Sequence, residues 1–270
     1  MPELPEVETT RRGLTPHCQG KRITEVRIRN HSLRWPVPTA LPEILGQKKL
    51  REISRRGKYL LFEFSHGTLL VHLGMSGSMR VMPSSAVPEK HDHIDLCFGK
   101  NCLRFNDPRR FGCFLWTEEP VTQHTLISHL GPEPLAEDFC ADYLYARSRK
   151  RSQAIKTLIM DSKIVVGVGN IYANEALFLA GIHPLKPAGK ISRAKYALLV
   201  EKIKHVLASA IARGGTTLRD FVGGDGKPGY FAQELNVYGR GGQACKVCTK
   251  ALTEKAVAQR ATVYCTRCQR

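Results

Sequence analysis

The sequence has no run of about 18 apolar residues, which excludes a membrane-spanning helix of ordinary length. It also lacks the basic segment and apolar stretch of a secretory signal, because Pro2 and Glu3 follow the first Met. No internal repeat is present. In 270 residues, 42% hydrophobic and 24% charged content is typical of a globular protein with one large or two medium domains. We therefore expect a folded, cytoplasmic protein.

Acidic residues are scarce relative to basic ones. The chain has 24 Asp and Glu against 41 Lys and Arg, which gives a formal net charge of +17. The basic residues cluster in three segments, 48–58, 147–156 and 239–270. A polyanion such as nucleic acid is the partner that such charge favours. A generally basic surface without a specific partner is the alternative.

The nine cysteines fall into two groups. Four of them form two CxxC pairs, and sixteen residues separate Cys248 from Cys265. This spacing predicts a tetrahedral zinc site of four thiolates, which is structural because it leaves no open position for water. A redox pair or two disulfides are the alternative, disfavoured in a cytoplasmic chain. The zinc ligands are Cys245, Cys248, Cys265 and Cys268. Reduced packing residues are predicted at Cys18, Cys97, Cys102, Cys113 and Cys140.

The first 130 residues are rich in predicted strands and begin with one helix. The helix starts near Pro5 and ends near Gly13, residue types that suit a first turn and a helix end. Two apolar segments, 58–64 and 68–73, flank a short turn and predict a hairpin. Strand character ends near Gly131. Further short strands are expected at 94–98, 102–105 and 113–116.

From about residue 135 to 213 the pattern is helical. Ser192 can cap one helix, which Gly214 ends, and another helix runs from near Asn170 to Gly181. Six glycines between 214 and 229 predict a loop, and the segment 216–229 has the composition of a flexible linker. The faces expected to be buried carry Tyr196, Leu199, Ile203, Val206 and Ala210 in the first helix and Tyr172, Ala176 and Leu179 in the second.

Pro2 and Glu3 are candidates for chemistry. Removal of Met1 would leave Pro2 with a free secondary amine, and α-amino groups titrate near 7.7–8, so part of it is an unprotonated nucleophile at neutral pH. Amines attack sugar or carbonyl carbons to form imines. Glu3 beside it is a candidate general acid or base. From these residues alone, a plain helix N-terminus with Pro and Glu serving geometry and dipole is the alternative.

Several motifs occur together in a fixed order. They are PELPEVE at 2–8, HLGMSG at 72–77, DPRRFG at 107–112, GVGNIYANEAL at 167–177, DGKPGYFAQ at 225–233 and the terminal cysteine pairs. Taken together, they resemble the bacterial formamidopyrimidine-DNA glycosylases, which remove 8-oxoguanine and ring-opened purines from DNA, and the resemblance covers essentially the whole chain. Leu4 stands where the endonuclease VIII branch typically has Gly, which favours the purine-lesion branch.

The resemblance implies an α+β fold in three parts. An N-terminal helix plus β-sandwich would occupy 1–131, and a zinc β-hairpin would occupy 236–270. Between them, 132–235 would form a helical domain with a helix–two-turns–helix element and a lesion-capping loop at 216–229. The implied protein is a monomer with one structural zinc ion, acting at the bacterial nucleoid on double-stranded DNA that contains oxidised purines or abasic sites.

The resemblance also assigns catalytic roles. Pro2 would attack C1′ of the damaged nucleotide and form a Schiff base, with Glu3 as proton donor. Lys58 and Arg260 match the family's proton donors in β- and δ-elimination, so glycosylase and lyase activity would share one intermediate. The resemblance places Arg260 at the tip of the zinc hairpin. For Lys58, a phosphate-contacting or strand-edge lysine is the alternative.

A base inside a duplex must be flipped out before its sugar can be attacked, and the vacated space must be filled. Met75, Arg109 and Phe111 match the family's void-filling residues. Without the resemblance, Met75 and Phe111 are more typical of core residues, although glycines beside them suit exposed loops. The positions that match DNA contacts are His91, Arg109, Arg151, Lys156 and Asn170, with Tyr238 a weaker candidate.

Some alternatives stay open for individual residues and for function. His91 also suits an ordinary surface position, and the glycines before Asn170 suit a tight turn between helices. They lack the full GxGxxG pattern and a Walker lysine, which excludes nucleotide binding. The other functions are an endonuclease VIII-like glycosylase for oxidised pyrimidines and a nonenzymatic zinc protein that binds damaged DNA.

Overall fold

The computed structural model describes residues 2–214 and 235–270. The predicted capping loop 216–229 lies outside the described residues. Two compact units are present: the first includes residues 2–128 and 213–214, and the second includes 129–212 and 235–270. Within the described part of the chain, no helix is both long and apolar enough to cross a membrane.

The first unit contains two antiparallel sheets of four strands and two helices. The elements are α1 (Leu4–Cys18), β1 (Glu25–Ile28), α2 (Leu41–Leu45), β2 (Glu52–Arg56), β3 (Tyr59–Phe64), β4 (Gly67–His72), β5 (Ser78–Pro83), β6 (Asp92–Phe98), β7 (Asn101–Asn106) and β8 (Cys113–Thr117). The strand orders in the two sheets are β1-β6-β7-β5 and β2-β3-β4-β8.

One cluster of buried apolar side chains joins the two sheets and α1. Val7 comes from the helix, Leu96 and Phe105 from one sheet, and Phe62 and Phe114 from the other. Alternate residues of each strand supply these side chains because successive side chains of a strand point to opposite faces. The predicted N-terminal helix plus β-sandwich is confirmed.

The first helix is longer than predicted. It continues past Gly13, includes Pro16 and ends at Cys18. Leu14 and Cys18 are fully buried and extend the apolar face begun by Val7. Glycine in a helix interior costs only about 1 kcal/mol relative to alanine, and burial of these two side chains outweighs it. The prediction that the helix ends at Gly13 was therefore wrong.

Glu8 fastens α1 to β2. Its carboxylate accepts hydrogen bonds from Arg11 at 2.9 Å, Arg12 at 2.8 Å and Arg55 at 3.1 Å. Burial alone raises the pKa of Glu8, but the hydrogen bonds from Arg11 and Arg12 and the charges of Arg11 and Arg55 outweigh burial and lower it to about 2. Because Arg55 belongs to β2, its ion pair with Glu8 sets the position of the N-terminal half of α1 against the sheet.

Replacing Glu8 with Gln is expected to lower the free energy of unfolding by about 2 kcal/mol at pH 7. The folded-state pKa lies below the ordinary value of 4.5, so this stabilisation is present above pH 4.5 and is lost as the pH falls towards 2. Denaturant unfolding of both proteins near pH 7 and near pH 2.5 measures the difference. The exposed Glu43→Gln is the control, and an E8Q difference that is equal at both pH values would contradict the prediction.

The second unit is helical and carries a two-stranded sheet. The predicted helical region is four separate helices, and a segment with two turns joins the second to the third. The elements are α3 (Ala141–Ser148), α4 (Ile155–Ile159), α5 (Asn170–Leu179), α6 (Arg193–Ala212), β9 (Thr253–Val257) and β10 (Arg260–Tyr264). Phe178 of α5 packs with Val237, Leu252 and Val263 around the cysteines, so the sheet rests on α5.

The predicted helix faces are confirmed with one exception. All five predicted positions of α6 are buried, and the Ser192 hydroxyl accepts the Lys195 N–H at 3.4 Å at its start. In α5, Tyr172 and Ala176 are buried, but Leu179 is 36% exposed. Leu179 is the last residue of the helix, where the packed face has ended.

The five cysteines outside the CxxC pairs are free thiols. Four are buried as predicted, but Cys140 is exposed because it lies at the start of α3. Burial raises the pKa of Cys18 to about 12 and that of Cys102 and Cys113 to about 11. These three thiols are therefore protonated and unreactive near neutral pH.

Candidate active site and metal centre

The start of α1 holds the two predicted N-terminal residues in a defined geometry. Pro2 is buried, and Glu3, the residue that precedes the helix, is 2% exposed. The Glu3 N–H donates to Oε2 of Glu6 at 2.8 Å, and the Glu3 carboxylate accepts the Glu6 N–H in return. This capping box fixes the Glu3 carboxyl at the positive end of the helix dipole. Pro2 is thereby attached to a rigid helix end.

Lys58 lies in the turn between β2 and β3, next to Gly57 with φ of +57°. We expected Lys58 to open the strand, but β3 starts one residue later. Besides burial, which has the larger effect, the charge of its ammonium lowers the pKa of His72. His72 was not predicted to be a site residue, although it is the first residue of the HLGMSG motif. Burial first, and then the charges of Lys58 and Arg34, lower the pKa of His72 to about 4. His72 Nδ1 accepts the Gly74 N–H at 2.9 Å, so the ring is neutral near pH 7.

Two loops of the first unit carry the predicted void-filling residues. Met75 lies between β4 and β5, whereas Arg109 and Phe111 lie between β7 and β8. Met75 is 37% exposed and Phe111 is 41% exposed, so neither is the core residue that composition alone favoured. The Arg109 guanidinium lies over the Phe111 ring, with Cζ 4.7 Å from the ring centroid. The loops thus present two apolar side chains and a planar cation at the surface.

Asp107 connects these two loops. Its carboxylate is fully buried and accepts the Ser76 hydroxyl at 2.9 Å and the Gly112 N–H at 2.8 Å. The Arg109 N–H donates to it at 3.3 Å. Asp107 was not among the predicted site residues, although it is the first residue of the DPRRFG motif. A carboxylate at the start of a glycine-ended loop was the available signal.

His91 and Arg151 belong to different units. His91 is half-buried and directly precedes β6, and its carbonyl accepts the Asp107 N–H at 3.0 Å. Arg151 is exposed in the turn after α3, and its carbonyl accepts the Gly189 N–H at 2.8 Å. Their predicted contacts with DNA stay predictions.

In the second unit, Lys156 and Asn170 hold the strand that begins with Arg260. The Lys156 ammonium donates to the Ala261 carbonyl at 2.9 Å and to the Thr262 hydroxyl at 2.7 Å. Asn170 Nδ2 donates to the same Ala261 carbonyl at 3.0 Å. Lys156 is 2% exposed, so little of its surface faces solvent in this arrangement, whereas Arg260 is exposed.

Arg260 is the first residue of β10 rather than the tip of the hairpin. The tip is the two-residue turn of Ala258 and Gln259, with φ of +48° and +60°. Positive φ at both central residues is the mark of a tight hairpin turn, which aligns β9 and β10 without a longer loop. Arg260 therefore leaves the turn on a strand fixed by α4 and α5.

The four predicted zinc ligands come together. Their sulfur atoms all lie within 4.8 Å of one another, with Cys248 and Cys265 at 3.4 Å and Cys245 and Cys268 at 4.0 Å. Four ligands at the usual Zn–S distance of about 2.3 Å in a tetrahedron place sulfurs about 3.8 Å apart, so the donor set fits one zinc ion. The closed set predicts a structural metal with no position for a reacting water.

Matches to protein families cover most of the chain. Residues 1–114 match the formamidopyrimidine-DNA glycosylase N-terminal domain, 130–222 its H2TH domain, and 242–270 the zinc finger found in FPG and IleRS. The zinc-finger match and the sulfur geometry together confirm the predicted zinc site.

Relatives match the chain from end to end. Formamidopyrimidine-DNA glycosylase of Saccharophagus degradans is 64% identical over 271 residues, covering 100% of both chains. Two structures of Lactococcus lactis FPG, a variant bound to DNA containing Fapy-dG and a complex with DNA containing an abasic site, are each 36% identical with a TM-score of 0.93, covering 100% of both chains. The chain belongs to the formamidopyrimidine-DNA glycosylase family.

Proposed function

We propose that this DNA glycosylase of base-excision repair removes 8-oxoguanine and formamidopyrimidines from duplex DNA and then nicks the strand. The observation that carries the assignment of its residues is the first turn of α1. There Pro2 precedes Glu3, whose carboxyl is buried and fixed by the capping box. A nucleophilic amine and a proton donor are thus adjacent on one rigid element.

The reaction uses one covalent intermediate. The Pro2 nitrogen forms a bond to C1′ as the bond from C1′ to the base breaks, and the departing base takes up the proton that the amine loses. The bond from C1′ to the ring oxygen O4′ then breaks, O4′ takes the proton that Glu3 donates, and an iminium, the protonated Schiff base, joins Pro2 to C1′. The imine acidifies the hydrogens on C2′, so loss of one expels the 3′ phosphate, and a second elimination expels the 5′ phosphate. Lys58 and Arg260 supply protons in these two eliminations.

The two exposed loops serve base flipping. Met75 and Phe111 occupy the space that the flipped nucleotide leaves, and the Arg109 guanidinium pairs with the orphaned base. His91, Arg151 and Asn170 contribute to the grip on DNA phosphates, which is consistent with the strong net charge. We propose that the working form is a monomer on one duplex of the bacterial nucleoid.

Borohydride trapping tests the proposal. A duplex with one 8-oxoguanine opposite cytosine is incubated with the zinc-loaded protein and borohydride, and the cross-linked peptide is mapped. An adduct on Pro2 supports the imine, the lesion class and the removal of Met1 together. Trapping only with an oxidised pyrimidine would move the protein to the endonuclease VIII type. Duplex binding without trapping would make it a nonenzymatic DNA-binding protein.

A double-mutant cycle distinguishes two roles of Lys156: holding β10 beside Arg260, and contacting DNA independently of the hairpin. Because the Lys156 ammonium is bonded to β10 beside Arg260, we expect Lys156→Met and Arg260→Ala to be strongly non-additive in δ-elimination. Single-turnover rates of the four proteins on an abasic duplex measure the coupling. Additive effects, within about 0.5 kcal/mol, would show that Lys156 contacts DNA independently of the hairpin.

A further inference from the structure

One buried carboxylate, that of Asp107, is bonded to both loops that carry the void-filling residues. We propose that Asp107 is a positioning residue that makes Met75, Arg109 and Phe111 enter the duplex as a single unit. The proposal rests on the void-filling role given above to these three side chains. It adds a residue that does not itself touch DNA.

The bonds of the Asp107 side chain divide between the loops. The Ser76 hydroxyl, next to Met75, donates to Oδ1 at 2.9 Å. From the other loop, the Arg109 N–H donates to Oδ1 at 3.3 Å and the Gly112 N–H donates to Oδ2 at 2.8 Å. The carboxylate therefore fixes a side chain in one loop and both ends of the segment that contains Phe111 in the other.

Asp107 is itself held by the sheet. Its N–H donates to the His91 carbonyl at 3.0 Å, and its carbonyl accepts the His93 ring nitrogen at 2.8 Å. Because its backbone is bonded to the start of β6 and its side chain is fully buried, the carboxylate is a fixed point rather than a mobile surface group. Both loops are therefore hydrogen-bonded to the same fixed carboxylate.

The backbones of the two loops also touch. Gly74 has φ of +68°, and a Cβ there would lie 2.6 Å from the Gly112 nitrogen. A Cβ on Gly112 would lie 2.8 Å from the His72 carbonyl oxygen. Only glycine permits this approach, because a side chain at either position would collide with backbone atoms. A shift of one loop is therefore transmitted to the other.

The partners of Asp107 set it apart from the other fully buried aspartate of this unit. Among the described residues, the side-chain partners of Asp107 are one hydroxyl and two backbone amides, all neutral. Asp95 is also fully buried but is paired with Arg29 and with Arg104, whose Nε lies 2.9 Å from Oδ1. The hydrogen bonds and ion pairs described for the Asp95 side chain go to these two arginines and not to the loops, so Asp95→Asn is a control for the loss of a buried carboxylate elsewhere in the unit.

The choice of DNA substrate distinguishes a positioning role of Asp107 from a general effect on protein stability. Removal of 8-oxoguanine from a duplex requires flipping and filling of the stack, whereas a preformed abasic site in a single strand offers no stack to fill. In Asp107→Asn, an NH2 group replaces one of the two carboxylate oxygens. One backbone N–H of the loops then faces a donor instead of an acceptor. Ser76→Ala removes only the bond to the Met75 loop. Both variants should therefore affect duplex excision and spare single-strand lyase activity.

The experiment measures single-turnover rates of duplex excision and of lyase activity on single-stranded abasic DNA. It also follows the fluorescence of 2-aminopurine placed beside the lesion, which reports unstacking. We expect Asp107→Asn to slow excision and the fluorescence rise by about 10- to 100-fold and Ser76→Ala by a smaller factor. Lyase activity on the single strand should stay within about twofold in both. Asp95→Asn should change duplex excision and single-strand lyase activity by the same factor.

Equal loss of both activities in Asp107→Asn, or unchanged excision in a folded Asp107→Asn protein, would overturn the proposal. Met75→Ala and Phe111→Ala in the otherwise unchanged chain test the underlying function separately. If they leave duplex excision unaffected, the void-filling assignment fails whatever Asp107 does. If they slow excision and Asp107→Asn does not, only the positioning role of Asp107 fails.

Discussion

Replacing Glu3 with Gln is expected to slow base removal by about 10³-fold, because the amide cannot donate the proton that a carboxylic acid supplies. The amide oxygen still accepts the Glu6 N–H, so the capping box and the helix start are preserved. The thermal midpoint should therefore change little. Single-turnover excision of 8-oxoguanine from a duplex measures the effect, and duplex binding measured in parallel should stay close to that of the unchanged protein.

Glu6→Gln is the matched control for this prediction. Glu6 is another buried acid of the same helix turn, 2% exposed, and its side chain accepts the Glu3 N–H. Its replacement should cost stability at the helix start but only a small factor in rate, because Glu6 serves geometry alone. A loss of rate in E6Q as large as that in E3Q would mean that the helix start as a whole, rather than the Glu3 proton, limits the reaction.

Removal of zinc is expected to lower duplex affinity by more than about 100-fold. Structural zinc contributes about 10–16 kcal/mol to the folding of zinc-finger peptides, so the module should unfold without it. The four thiolates hold the segment that leads into β9 and out of β10, which places Arg260. DNA-binding titrations before chelation, after chelation and after zinc is restored measure the effect.

Two cysteine variants complete this test. Cys245→Ser removes a ligand of the cluster and should reproduce the effect of chelation in metal content and binding. Cys140→Ser changes an exposed thiol outside the cluster and should leave both unchanged. Full duplex affinity in a metal-free protein would contradict the structural role of the site.

The parts of the fold that follow local rules were predictable. The strand segments, the buried face of α6 and the zinc pairs depend on alternation, helical spacing and cysteine spacing, which are visible in the chain. The end of α1 was not predictable locally. Gly13 is a typical stop signal, and only the burial of Leu14 and Cys18 in the shared core shows why the helix continues.

At the candidate site, the residues that position other residues were the hardest to predict from the sequence. Lys156 has the residue type of a phosphate contact, but its ammonium is bonded to a strand more than a hundred residues later in the chain. Asp107 was hidden for the same reason, because its partner Ser76 belongs to another loop. Contacts between distant segments carry no local pattern, so one sequence cannot show them.

The distribution of thiols determines which parts of the protein are sensitive to oxidants. Oxidants that damage guanine also oxidise cysteine, and they react with the thiolate form. Burial keeps Cys18, Cys102 and Cys113 protonated, with pKa values raised to about 11 or 12. The core is thereby protected from peroxide, and the thiolates of the zinc cluster are the deprotonated sulfurs on which the fold depends. Under oxidative stress, the protein should lose its hold on DNA before its first unit unfolds.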